Sequence, residues 1–184
     1  MNDLLKNILA ELRVETLDEF DRNFVRKAFF DRPWPARRMD TGRGTLLAVT
    51  GRLRRSLRCS VGRASLAFFS DAAYFSIHNR GGKIPVTTGM RKYFWAMYYK
   101  NMQGVSFSLK TRQAANKRSE RGNRLAEYYR SLALTTKKEL TIPQRQIVGD
   151  HPKIGRIVRE TCTRNVQEWI GRNIDPKFRK MIRK

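Results

Sequence analysis

The chain has 184 residues, 40% of them hydrophobic, with ten Phe, six Tyr and three Trp, which is enough apolar material for a folded core and too much for a disordered chain. Thirty-nine Lys and Arg against sixteen Asp and Glu give a formal net charge of +23, which calls for an anionic partner, nucleic acid or an acidic protein surface. Cys59 and Cys162, with only two histidines beside them, make neither a disulfide framework nor a zinc motif by spacing.

No apolar run approaches the roughly 18 residues that cross a bilayer, so no membrane contact is expected. The opening MNDLLKNILAEL carries acids early and reads as a helix rather than an export signal. Leu4, Leu5, Ile8, Leu9 and Leu12 form one apolar stripe, which predicts a helix over residues 3–30. Thr16 and Glu19 have capping-box spacing, so a break and restart is expected there. Residues 1–30 hold five basic and six acidic side chains, so the positive charge lies almost wholly in the rest of the chain.

The prolines of DRPWPARR, residues 31–38, end that helix. Thr50 is the expected N-cap of a short helix in which Leu53 and Leu57 share a face and the arginines point outward. Residues 58–70 predict a hairpin turning at Gly62-Arg63 as a type II′ turn. Asp71 is expected to cap a helix through Asn79, with Tyr74, Ile77 and His78 on one side and Gly81-Gly82 as its stop. Residues 83–86 leave extended.

Residues 87–136 differ in character. Eleven Lys and Arg stand against two Glu between Lys83 and Arg130, interleaved with Tyr93, Phe94, Trp95, Tyr98, Tyr99, Tyr128 and Tyr129. The block reads as a basic, largely helical insertion, or arm, within a single domain spanning 1–184. Residues 91–101 and 125–134 predict helix. Residues 109–124 have almost no apolar content and predict a mobile basic loop, so deleting 104–124 is expected to leave folding intact but impair assembly. Arg91, Lys92, Lys100, Lys110, Arg112, Lys117, Arg118, Arg121 and Arg124 are candidate contacts to protein or DNA, with the aromatics available for stacking. A strand ending at Pro143 comes next, then a long helix capped by Asp150 with Ile154, Ile157, Val158, Cys162, Val166, Trp169 and Ile170 at helical spacing.

Catalysis finds little support in the residues. His78 has Asp71 and Ser76 nearby, but on a helix Asp71 lies two turns away and Ser76 points elsewhere. From Asp31 onward only ten acids remain, with no DxD or DxE pair for a metal-dependent nuclease. Neither a phosphate-binding glycine fingerprint nor a sequence-specific nucleic-acid motif is present. The expectation is a non-enzymatic protein with no cofactor, no metal and no catalytic residue.

Three segments resemble one family. LAVTGRLRRSL, residues 47–57, is similar to the L-x-x-T-G-x-L-R-x-S segment of tailed-phage virion morphogenesis proteins, the tail-completion family of Mu-like phages and its lambda-like minor tail relatives. Tyr74, Ile77, His78, Gly81 and Gly82 match that family's Y-A-x-I-H-x-x-G-G, and IPQRQIVG, residues 142–149, matches I-P-A-R-P-F-L-G. Order and approximate spacing agree over about half the chain. Phe75, Gln144 and Gln146 depart from the pattern, and the block 87–136 exceeds the family's usual connecting loop.

The resemblance implies an α+β subunit with a small curled antiparallel sheet flanked by an N-terminal helix and a long C-terminal helix. It implies a structural virion protein that forms a homo-oligomeric ring, commonly hexameric, at the head–tail junction or tail end. Its neighbours would be a portal or head–tail adaptor and tail-tube or tail-terminator proteins, with DNA in the channel, and it would sit in the host cytoplasm before assembly. The motif residues expected to hold the subunit or its interface are Thr50, Gly51, Leu53, Arg54, Tyr74, Ile77, His78, Gly81, Gly82, Ile142, Pro143, Arg145 and Gly149. The alternative is a nonspecific basic nucleic-acid-binding module.

Overall fold

The computed structural model describes residues 2–40, 44–109 and 111–173. In chain order its elements are α1 (Asn2–Arg26), β1 (Ala28–Phe29), β2 (Arg32–Pro33), α2 (Arg52–Arg55), β3 (Leu57–Val61), β4 (Leu66–Ser70), α3 (Phe75–Arg80), β5 (Gly82–Pro85), α4 (Thr88–Met102), α5 (Lys117–Ala133), β6 (Glu139–Ile142) and α6 (Pro152–Asn173). The class is α+β, with 53% of the described residues helical, an N-terminal helix and a long C-terminal helix. Antiparallel pairing is divided among three two-stranded ladders, β1–β2, β3–β4 and β5–β6, instead of one curled sheet. The chain forms two compact units: Met1–Pro35, Thr45–Arg80 and Gln144–Lys184 in the first, Ala36–Gly44 and Gly81–Pro143 in the second. The second unit therefore contains all of 87–136 and adds β5, β6 and residues 36–44.

In the first unit α1 runs unbroken through Thr16. A capping hydroxyl is useful only where backbone N–H groups lack partners; inside a formed helix the Thr16 hydroxyl turns back and donates to the Leu12 carbonyl at 2.5 Å. Ile8, Leu12, Thr16, Phe20 and Phe24 then form one buried face. The helix stops at Arg26, earlier than the expected residue 30, because Lys27 adopts a left-handed φ of 55°. A tight β1–β2 hairpin comes next, and its turn residue Phe30 also has a positive φ, 54°. The proline-rich stretch thus does more than end a helix: it brings Phe29, Phe30 and Trp34 into the core.

Two apolar clusters result. Phe24, Trp34, Leu53, Ala72 and Ile147 form one, with Leu46, Leu47, Phe75 and Val148 packed on it. Phe20, Phe29 and Phe30 form the other, with Leu57, Phe68 and Ile154. Edge-to-face pairs such as Phe20–Phe68, with centroids 5.0 Å apart, fix the ring orientations.

The α1–α6 seam is polar. Thr161 donates to Glu15 at 2.7 Å, Arg164 bridges Glu11 and Glu15, and Lys153 pairs with Glu19 at 2.8 Å. Burial opposes the charge of Glu19, but its bonds to Lys153 and Arg26 outweigh that and hold its pKa below the ordinary value.

Four local expectations are corrected. The N-cap of α2 is Gly51, at φ 69°, and not Thr50. The β3–β4 connection spans residues 62–65, closed by Gly62 N–H to the Ser65 carbonyl at 2.8 Å, without the positive φ a type II′ turn needs at Gly62. The helix α3 starts at Phe75 rather than after Asp71, because the Ser70 hydroxyl takes the Ala72 N–H at 3.1 Å. The cap of α6 is His151 and not Asp150: its carbonyl accepts the Ile154 N–H at 2.9 Å and its Nδ1 accepts the Lys153 N–H at 3.2 Å.

The second unit is built on the packing of α4 against α5. Arg91 near the start of α4 donates to the Ala133 carbonyl at the end of α5, at 2.7 Å, and Gly122 early in α5 meets Asn101 late in α4, so the helices run antiparallel. Helix α5 begins at Lys117, capped by the Asn116 carboxamide accepting the Ser119 N–H at 2.9 Å. Half of the loop expected at 109–124, residues 117–124, is therefore helix. Its inward row is small: buried Ser119, Ala126 and Ala133 and half-buried Gly122 recur along one face. A Cβ at Gly122 would lie 2.9 Å from Val105 Cγ2 and 3.2 Å from the Asn101 carbonyl, so this glycine sets the helix spacing. Deleting 104–124 would remove that seam, so the fold of the second unit is not expected to survive it.

Candidate functional site

The three motif segments meet in the first unit. Leu47 and Leu53 from the first, Phe75 from the second, and Ile147 and Val148 from the third share one cluster with Phe24, Trp34 and Ala72. Arg54, expected to face outward freely, pairs with Asp21 of α1 through Nε to Oδ1 and Nη2 to Oδ2. Thr50 is exposed, and its Oγ1 accepts weakly from the Arg52 N–H at 3.4 Å.

Segments two and three are stitched at α3. The Arg145 N–H donates to the His78 carbonyl at 2.7 Å, and the buried Arg145 guanidinium donates through Nε to the Pro35 carbonyl at 2.9 Å. Asn79 accepts the Ile147 and Val148 N–H groups on one side-chain oxygen, at 2.6 and 3.0 Å. Its carbonyl takes the Gln144 side-chain amide at 3.1 Å. Tyr74 stands edge-on to His78 with centroids 6.1 Å apart, and Ile77 is half-buried. Among the described residues His78 Nδ1 has no hydrogen-bond partner. Burial, then the neighbouring Arg145 charge, pushes the His78 pKa below its ordinary value. Gly149, also a motif residue, has φ 154°.

The remaining motif residues belong to the second unit. Gly81 has φ 70° and Gly82 φ 140°, and Gly82 pairs with Ile142 in the β5–β6 ladder. Pro143 closes that unit.

Sequence reasoning missed Asn23, Trp34, Asn79 and the hairpin around Phe30. Asn23 is fully buried, accepting the Phe30 N–H at 3.1 Å and donating to the Ile147 carbonyl at 3.1 Å. Trp34 Nε1 donates to the Gln146 carbonyl at 2.7 Å. The neighbours of Asn23 one turn away are Glu19, Phe20, Arg26 and Lys27, so no apolar stripe marked it as buried; once buried, its amide must find partners.

As chemistry, these contacts position backbone. His151, the second histidine, has both ring nitrogens engaged: Nδ1 by Lys153, Nε2 by Asp31 at 3.1 Å, with the ring stacked on Phe30 at 4.1 Å. Among the described residues no group of three or more His, Cys, Asp or Glu could hold a metal ion, and no helix is long and apolar enough to cross a membrane.

The candidate basic contacts lie in the second unit, which holds sixteen Lys and Arg against four Asp and Glu. Lys110 lies outside the described residues. Arg91 is half-buried and spent on the α5 carbonyl end. Lys92, Lys100, Arg112, Lys117, Arg118, Arg121 and Arg124 are exposed, and the described ion pairs of this unit, Lys83–Glu139 and Arg130–Glu127, involve none of them. Tyr93 and Tyr99 stand 56% and 60% exposed on α4 beside Lys92 and Lys100.

Two apolar patches mark the first unit. On α6, Val158, Cys162, Val166 and Trp169 fall on one side of the helix, and all but Cys162 are exposed. On the face of α1 opposite Glu11 and Glu15, Leu5, Leu9 and Val14 with Val61 of β3 line a groove of about 670 Å³, rimmed by Lys6, Arg13 and Arg63. No family model, no curated protein and no solved structure matches this chain.

Proposed function

We propose that this chain is a non-enzymatic structural subunit of a tailed-bacteriophage virion that assembles into a ring at the head–tail junction or tail end. The observation that carries the reading is the meeting of the three family-like segments in one core, in the family's order, with Asn79 and Arg145 spent on holding backbone. The α6 row and the α1 groove support assembly. They are unlike patches reached from different sides of α1, and a contact between unlike patches runs head to tail and closes into a ring when the rotation permits. Portal, adaptor, tail-tube or terminator proteins would then sit on the faces of that ring.

Mixing tests the geometry. Trp169→Glu and Val61→Glu each spoil one patch, so each alone is expected to give monomer. Mixed, they are expected to give a dimer, because each retains the patch the other needs. Unchanged assembly in both single variants contradicts the reading.

A second reading is favoured by the exposed cations of the second unit: nonspecific nucleic-acid binding, compatible with a ring through which DNA passes. Affinity for long DNA is then expected to fall steeply with salt.

A further inference from the structure

We propose that the second unit carries a binding site for single-stranded nucleic acid centred on Arg124. The proposal rests on the nucleic-acid reading above and gives it a place and a strand form. Arg124 lines two concavities. The larger, about 520 Å³, is walled by Phe107, Arg112, Gln113, Glu120 and Asn123. The smaller, about 260 Å³, is walled by Arg38, Met39, Asp40, Arg121 and Leu125. One arginine between two hollows is an arrangement that a chain of alternating bases and phosphates can follow.

Phe107 decides the strand form. Its ring is 46% exposed, yet its backbone is braced. It bridges Ala114, with Ser108 N–H to the Gln113 carbonyl at 2.8 Å and Ala115 N–H to the Ser106 carbonyl at 2.9 Å. The Ser106 N–H is held by the buried Ser119 hydroxyl at 3.1 Å, which ties this turn to α5. A preorganised, outward aromatic offers a stacking face. An unpaired base can use it, whereas a base within a duplex is already stacked on both sides.

The polar wall sorts the rest. Gln113 and Asn123 offer amide donors and acceptors, and Glu120 accepts from the exocyclic amines of bases while repelling phosphate. The larger hollow therefore suits a base. The smaller hollow sets Arg38, Arg121 and Arg124 against the single carboxylate of Asp40 and suits a phosphate.

The test is titration of the full chain with a fluorescent single-stranded oligonucleotide and with its duplex, at several salt concentrations. Single strand is expected to bind about tenfold tighter than duplex. Phe107→Ala is expected to lower single-strand affinity about tenfold and leave duplex binding unchanged, while Phe107→Trp keeps both. Arg124→Ala is expected to weaken both forms and reduce the salt slope by about 1. Circular dichroism melting of each variant establishes that the fold is retained. Equal affinity for both forms with no effect of Phe107→Ala removes the site but leaves general basic binding standing. Displacement by polyglutamate as readily as by single strand also removes the site. No binding of either form at low salt removes both readings.

Discussion

Asn79 and His78 sit side by side and do opposite things with their polar atoms. Asn79 satisfies two backbone N–H groups of the third motif segment, while the His78 ring leaves Nδ1 without a partner among the described residues. Asn79→Ala is expected to strand both N–H groups and cost about 2–4 kcal/mol in chemical denaturation, whereas Asn79→Asp keeps the acceptors and should cost less. His78 is held below its ordinary pKa of 6.5, so folding favours the neutral ring. Its contribution to stability is complete above that value and is lost as pH falls below it, because the unfolded chain then binds the proton more readily. Glu19, also depressed, loses its contribution with acid as well. The stability difference between the parent chain and His78→Gln, measured between about pH 5 and 8, is therefore expected to shrink from the alkaline to the acid side.

At the scale of elements, legibility followed side-chain size. The apolar periods of α1, α4 and α6 were readable because large side chains repeat at helical spacing. The N-terminal half of α5 was not, because the residues it turns inward are Ser119, Gly122 and Ala126, and small residues carry no hydrophobic period. Gly122→Val is expected to destabilise the second unit by about 1–3 kcal/mol in thermal denaturation, since the added side chain meets Val105 and the Asn101 carbonyl. Caps were legible in kind but not in place. Thr50, Asp71 and Asp150 are good cap types, yet Gly51, Ser70 and His151 took the local roles, because a neighbouring backbone or aromatic contact fixed the geometry first. The Phe30 hairpin was hidden for another reason: its positive φ falls on residues that rarely adopt it, and only the buried Asn23 amide explains why the chain turns there. Of the candidate site, the motif segments were legible as segments. The side chains that join them, Asn23, Trp34 and Asn79, act over distances in sequence that no local pattern encodes.

Over the whole molecule, both units are basic, the second more densely so, and the α1 groove and the α6 apolar row lie in the first. The first holds Glu11, Glu15, Glu19 and Asp21 of α1 in ion pairs and leaves two apolar patches exposed. The second leaves Lys92, Lys100, Lys117, Arg118, Arg121 and Arg124 exposed on α4 and α5, outside its described ion pairs. Apolar patches suit contact with copies of the same chain; exposed cations suit a polyanion. The proposed subunit would assemble through the apolar patches of the first unit and meet nucleic acid or an acidic neighbour through the exposed cations of the second. The most direct test of the ring is the mass of the purified chain by light scattering, with negative-stain imaging of the same sample. A mass several times 21.6 kDa with closed rings in the images is expected. A mass of 21.6 kDa, with no ring even beside portal or tail-tube protein, contradicts it.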